Sequence, residues 1–408
     1  MIAFDIGLLL LSLGAVTCCV LHVVVLGFVV YINKRVVPAS AGLALGAPEG
    51  GWPPVCVIVP AHNEQDVIAV LARSLREQEY ESLRVVFVLD RCTDDTSRVL
   101  RAAIDDDSRF EIIELDACEE GWSGKTHAAW RGVTDSQGAR DAELLLFTDA
   151  DTSFHPSCLH ATVALLYERD LGMLSLLSTL THDRWFEWLA QPVAATELLR
   201  QNRLDKVNAP GNPKAFANGQ FMLFTRAAYE RIGGHEGVRD ALLEDILFAH
   251  KLREAGVQIG VHRADSLVRC QMYRDWESFE RGWKRIFTEA AGHRAWYLSR
   301  ASWKLLGSGV ALPLLSIGAC VVGAIGTGWV SMVALWAGVL GVLAWWVCLG
   351  VLWRSQGAPL WSVVLSPLGA ICVVGLLRGA ASDLHHGRGI TWAGMTYQRP
   401  VHTAKRRE

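Results

Sequence analysis

The strongest constraint on the fold is where the apolar residues fall. Residues 6–31 (IGLLLLSLGAVTCCVLHVVVLGFVVY) carry only small polar side chains and one histidine. That run is long enough to cross a bilayer as a helix. It exceeds the apolar core of an ordinary signal peptide, lacks a basic segment ahead of it, and shows no small-x-small cleavage site before Asn33-Lys34-Arg35. Residues 1–35 therefore read as an uncleaved anchor. Lys34 and Arg35 place the following domain on the cytoplasmic side of the inner membrane by the positive-inside tendency. Near the other end, residues 305–327, 329–353 and 360–377 form three further apolar blocks, giving a membrane region over 303–378 and a tail over 379–408. Pro367 and Gly369 near the middle of the third block predict a kink or a re-entrant segment. A complete third crossing puts Arg378, Arg388 and Lys405-Arg406-Arg407 outside, against the charge rule, so two and three spans both stand.

Between these ends the pattern changes. Residues 36–52, rich in Gly, Ala and Pro, read as a linker to a domain over 53–300. Apolar bursts then alternate with helical stretches: VCVIVP (55–60) before QDVIAVLARSLREQ, RVVFVLD (84–90) before TSRVLRAAIDDD, FEIIEL (110–115) before GKTHAAWRGVTDS, and ELLLFTDAD (143–151). Short β-rich runs spaced by helices predict βαβ units in a mostly parallel, Rossmann-like α/β sheet. Ligands of such sheets sit beyond the carboxyl ends of the strands. A net charge of −3 provides no basic field for nucleic acid. Ten scattered cysteines without a C-x-x-C pair argue against a disulfide framework or a zinc site and suit a reducing compartment.

The unusual polar residues lie at the predicted strand ends. Pro60-Ala61-His62-Asn63-Glu64 closes the first strand, and Asn63 is a candidate N-cap for a helix opening near Gln65. Asp90 closes the second; the cap of the next helix falls to Asp94 or Asp95, which leaves Asp90 to accept from a base N–H or a ribose hydroxyl. Gly121-Trp122-Ser123-Gly124-Lys125 combines two glycines with a lysine at a helix start, where phosphate is favoured, although it is not a Walker A loop. Asp149-Ala150-Asp151 puts two mutually repelling carboxylates at the end of a buried strand, a conflict that Mg²⁺ or Mn²⁺ would relieve. Asn218-Gly219-Gln220 precedes the strand-like FMLF. Glu244-Asp245 opens a packed helix with apolar residues at Leu242, Leu243, Ile246, Leu247 and Leu252. Acids in a first turn complement the helix dipole, which accounts for one of the pair and leaves the other available as a general base.

In this order, P-A-H-N-E, the strand-ending aspartate, G-W-S-G-K, D-A-D, N-G-Q-F and L-L-E-D-I resemble the family 2 inverting glycosyltransferases of GT-A fold, over roughly residues 53–290. Gln271-Met272-Tyr273 and Glu280-Arg281-Gly282-Trp283-Lys284, with G-W-S-G-K, resemble the membrane-anchored branch acting on hydrophobic acceptors, such as hopanoid-associated, carotenoid and ceramide glycosyltransferases. Q-x-x-R-W, carried by processive members and ceramide glucosyltransferases, is replaced here by R-G-W-K-R (281–285), which counts against a polysaccharide synthase and leaves the role of Trp283 open.

The resemblance implies a UDP-sugar donor, glucose as the first sugar to try, and a lipid acceptor. It implies that Pro60, His62, Asn63, Glu64, Asp90, Lys125, Asp149 and Ala150 hold the nucleotide-sugar. Asp151 would be the direct Mg²⁺ or Mn²⁺ ligand, with Asp149 as a second ligand or a ribose contact. Asp245 would be the general base, and Asn218, Gly219, Gln220, Glu244 and Trp283 would lie on the acceptor side. Trp185, Phe186, Trp188 and Leu189, and the aromatic and basic run over 276–300, are expected at a membrane interface. Two other readings remain: a polyprenyl-phosphate glycosyltransferase, and a catalytically inactive membrane-tethered nucleotide-sugar sensor or scaffold.

Overall fold

The structure, a computed structural model, describes residues 2–397 except 202–203, 210, 213, 240, 242, 388–389 and 393–394. Leu242, Arg388 and the basic residues 405–407 lie outside the described residues. The chain divides into two compact units, one of residues 32–181 and 202–272, the other of residues 1–31, 182–201 and 273–408.

The first unit is the α/β domain. Its strands are β1 (Val55–Ala61), β2 (Leu83–Asp90), β3 (Phe110–Leu115), β4 (Leu144–Phe147), β5 (Thr152–Phe154), β6 (Met173–Leu177), β7 (Thr179–Leu180), β8 (Met222–Thr225), β9 (Ile259–Arg263) and β10 (Val268–Cys270). Seven of them form one sheet in the order β3-β2-β1-β4-β8-β6-β9. Neighbours run parallel except at β8, which is antiparallel to both β4 and β6. The expected strands are present, and their apolar runs have the cause given for them: Val55, Val57, Ile58 and Val59 are fully buried. Burying each such side chain contributes about 1.5–3 kcal/mol relative to leaving it in water. β5, β10 and β7 make a small second sheet.

Three local expectations change. The fourth strand stops at Phe147, so Asp149 and Asp151 occupy a turn rather than the strand itself. The Thr148 hydroxyl bonds to the Gln220 carbonyl (2.8 Å) and to the Thr152 hydroxyl (2.9 Å), which bends the chain there. Asn63 is not an N-cap, because the next helix is Ile68–Arg76; it sits at φ 57° and its Oδ1 accepts from Thr93 N–H at 2.8 Å. Residues 36–52 are not a free tether. Within them Ala39–Ala44 forms a short 3₁₀ turn with Ala39 and Gly42 buried, and a β-carbon on Gly42 would collide with the Ala161 carbonyl of helix Cys158–Glu168. Small residues signal flexibility in sequence, but here they permit close packing.

The second unit is helical. Among the described residues, four helical stretches are long and apolar enough to cross a membrane: Asp5–Ala44, Ala295–Ile325, Trp329–Gln356 and Leu360–His385. Ala15, Ala319 and Ala337 pack together between three of them. The last block is a 3₁₀ turn, Leu360–Leu365, followed by an α-helix. Pro367 falls in the first turn of helix Ser366–His385, where its missing N–H is harmless. Gly369 gives close approach to the Leu189 carbonyl.

The aromatic run after residue 275 forms a helix with two unlike faces. Helix Trp276–Ala290 turns Phe279, Trp283 and Phe287 inward, each at most 2% exposed, with Trp276 stacked on Trp185 and Phe279 against Phe186. Glu277 and Arg281 pair on the exposed face. The stretch is an amphipathic helix whose aromatic face packs against protein. Trp283, wedged between Phe279 and Phe287, offers no open face to an acceptor.

Candidate active site

The carboxyl ends of β1, β2 and β4 bring the donor-side candidates together within the α/β unit. His62 donates from Nδ1 to the Asp90 carbonyl at 2.6 Å, and Glu64 N–H donates to the Thr96 hydroxyl at 2.8 Å. Asp90 is placed as expected but engaged otherwise. It is 4% exposed, and Arg91 clamps both of its oxygens, Nε to Oδ1 at 2.8 Å and Nη2 to Oδ2 at 2.7 Å. Arg91 achieves this from a left-handed backbone, φ 49°. Gly124 lies close beside this clamp: a β-carbon there would stand 2.8 Å from both Asp90 Oδ2 and Arg91 Nη2, so these side-chain ends would have to shift.

Helix Gly124–Asp135 begins with Ser123 as its N-cap. Arg239 ties this turn to the segment ahead of Asp245, because its carbonyl accepts from Ser123 N–H (2.8 Å) and from the Thr126 hydroxyl (2.7 Å). Lys125, in the first turn, reaches across the site. Its Nζ lies 2.7 Å from Asp149 Oδ1 and 2.7 Å from Glu244 Oε1. Burial opposes the ammonium, but the two carboxylates outweigh it and hold the lysine firmly charged. Glu244 responds in the same sense: burial favours its neutral form, and Lys125 overrides that to keep its carboxyl below the usual range.

Asp245 begins helix Glu244–Glu254 and is gripped by backbone. Gly219 N–H donates to Oδ2 at 2.9 Å and Ile246 N–H to Oδ1 at 2.8 Å. Burial, then the charge of Glu244, pushes its carboxyl up to about 7. Asn218 is structural at its side chain, donating to the Leu176 carbonyl (2.8 Å), while Gln220 is buried and holds Thr148 through its carbonyl. Ala150 is buried in the core beneath the turn. His235, not among the residues singled out from the sequence, lines the small pocket with Lys125, Asp149, Glu244, Pro60 and Phe147. Burial pulls its pKa down to about 3, and the Tyr229 hydroxyl sits 2.8 Å from Nδ1. The local sequence carries no signal for this role.

The D-A-D conflict is half resolved inside the protein. Lys125 neutralises Asp149, whereas buried Asp151 Oδ1 has no hydrogen-bond partner. Burial, followed by the charges of Asp149 and Glu64, pushes Asp151 up to about 7. An orphaned carboxylate oxygen beside a second carboxylate fits a divalent cation of the Mg²⁺ or Mn²⁺ type. Among the described residues no cluster of three or more His, Cys, Asp or Glu surrounds it. Such an ion would take its remaining ligands from substrate phosphate and water.

Residues 56–233 match the profile described as Glycosyl transferase family 2. These residues form a family 2 glycosyltransferase domain. Its mostly parallel sheet, reversed only at β8, is GT-A-like, as the resemblance implied. The chain is similar to the 4,4'-diaponeurosporenoate glycosyltransferase of Staphylococcus aureus (strain USA300), 25% identical over 239 residues that cover 58% of this chain. The match spans 61% of that relative's length. Among solved structures, it is similar to the mannosyltransferase PcManGT from Pyrobaculum calidifontis in complex with GDP-Man and Mn²⁺, at 19% identity and TM-score 0.49, covering 93% of this chain and 99% of that one. It is also similar to S. aureus TarS 1-349 in complex with UDP-GlcNAc, at 14% identity and TM-score 0.40, covering 85% and 96%.

If Asp245 is the general base, as the resemblance implies, its raised carboxyl pKa sets a direction for pH. The carboxyl must be ionised to accept a proton, so kcat/KM should rise by about tenfold per pH unit up to about 7 and then level off. Profiles between about pH 5.5 and 8.5 at saturating Mn²⁺ test this. A flat profile there would remove Asp245 from that role.

Proposed function

We propose that the chain is a membrane-bound inverting glycosyltransferase that moves one sugar from a UDP-sugar to a hydroxyl of a lipophilic acceptor, with the catalytic domain on the cytoplasmic side. The observation that supports it most is the contiguous set of charged side chains on one sheet edge: Asp151 and Asp149 for the donor, Lys125 between Asp149 and Glu244, and Asp245 beside Glu244. The family 2 domain supports glycosyl transfer. The four apolar helices and the relative named for 4,4'-diaponeurosporenoate support a lipid-like acceptor.

In this reading Asp151 and Asp149 hold a divalent cation, which supplies Lewis-acid assistance to a departing diphosphate. Lys125 offers its ammonium to the same phosphates. Arg91, fixed by Asp90, stands at the nucleotide end of the strands. Asp245 takes the proton from the acceptor hydroxyl as that oxygen attacks the anomeric carbon on the face opposite the diphosphate, so one displacement inverts the centre. Gly219 and Ile246 N–H aim the carboxylate for that step and leave it other lone pairs for the incoming proton. Incubating membranes containing the chain with labelled UDP-sugars, UDP-glucose first, should place label in the lipid extract. Label absent from every UDP-sugar would overturn the donor, and label on polyprenyl phosphate alone would overturn the hydroxyl acceptor.

A further inference from the structure

Lys125, Asp149 and Glu244 come from three separate segments: the first turn of one helix, the turn after β4, and the first turn of helix Glu244–Glu254. The helix dipole explains an acid in the last position but not one that reaches another segment to bind an ammonium at 2.7 Å. The contact is closely fitted. The Gly219 backbone lies over it, and a β-carbon there would stand 3.3 Å from Lys125 Nζ and 3.4 Å from Glu244 Oε1. Nζ has three N–H donors, and each carboxylate lies within bonding distance of it.

We infer that Glu244 is a positioning residue acting through Lys125: it holds the ammonium in place before the donor arrives, and it competes with the donor's diphosphate for it. This rests on the function proposed above. A diphosphate is also an acceptor-only anion, so it must draw Lys125 at least partly away from a full carboxylate charge. The competition aims the lysine correctly and weakens its hold on the diphosphate. When the nucleoside diphosphate remains as product, Glu244 draws the ammonium back and speeds its departure.

Glu244→Gln keeps the shape of the side chain and removes the competing charge. In the full-length protein, calorimetry at fixed Mn²⁺ should show UDP binding tightened by on the order of three- to tenfold. The donor KM and kcat should fall together, since product leaves more slowly. A purely structural role for Glu244 would raise the Kd and KM instead. In a Lys125→Met background, Glu244→Gln should give no tightening, because the ammonium being contested is gone. Unchanged or weaker UDP binding in Glu244→Gln, or tightening that persists without Lys125, overturns the inference. Should Glu244→Gln not fold, Glu244→Asp, which draws the carboxylate back by one methylene, must tighten UDP in the same direction or the inference fails. Wild-type protein that binds GDP but not UDP would refute the uridine donor alone, and the Glu244 comparison is then read with GDP. Binding of neither would refute both.

Discussion

Asp245→Asn is expected to lower turnover by on the order of 10²–10⁴, the span usual for loss of a general base. UDP binding should stay near that of the wild type, because the hydrogen bonds of Asp245 are to Gly219 and Ile246 and not to Lys125, the lysine proposed for the phosphates. The substitution also has a structural cost. Asp245 accepts from two backbone N–H groups, and an asparagine has one oxygen for both, so one buried donor loses its partner at about 1–3 kcal/mol. Melting curves alongside the kinetics separate the two effects. Near-normal turnover in a folded variant would mean the acceptor needs no base, as a phosphate acceptor does not. An equal loss of UDP binding and turnover would place Asp245 on the donor instead. A scaffold without turnover would show no difference to measure.

Asp151→Asn is expected to abolish transfer while leaving a folded, membrane-bound protein. Its signature extends beyond activity. Asp151 is a buried carboxyl held above its ordinary range, with one oxygen unpartnered. A carboxyl whose pKa is higher folded than unfolded stabilises the fold only while protonated, and that advantage fades as pH rises through about 7. In EDTA above that pH, the variant should therefore melt at or above the wild-type temperature. Mn²⁺ should raise the wild type and leave the variant unmoved. Equal transfer in excess EDTA and in Mn²⁺ would defeat this assignment, as would an Mn²⁺-dependent rise in the melting temperature of the variant.

The sheet was readable from sequence because its strands are buried on both faces, and continuous runs such as VCVIV and RVVFVL have few other uses. The site was readable as positions but less well as partners. Asp90 was visible at its strand end, yet its capture by Arg91 depends on a left-handed turn that arginine seldom adopts and no local pattern announces. Lys125 was read as a phosphate ligand, while its pairing with Asp149 and Glu244 joins residues far apart in sequence. The run from Trp276 was legible as a helix face but not as to everything that face meets. Spacings of three and four between Trp276, Phe279, Trp283 and Phe287 describe one face of a helix, and that face meets lipid or protein equally well. Pro367 marks the point where the 3₁₀ turn Leu360–Leu365 gives way to helix Ser366–His385, a change of geometry that the apolar run alone does not show.

The short turn at Ala39–Ala44 bears on where this chain can be divided. With Gly42 pressed against helix Cys158–Glu168 and His262 Nδ1 donating to the Val37 carbonyl at 2.7 Å, residues from the end of the first helix onward belong to the α/β core. A soluble fragment begun at residue 53, where the strands start, would strip a covering strip from that core and leave an apolar scar. Gly46, Gly50 and Gly51 are exposed and have open space around their α-carbons. A chain cut there would keep residues 36–45 joined to the first helix yet still packed on the α/β core, so the two pieces would stay together.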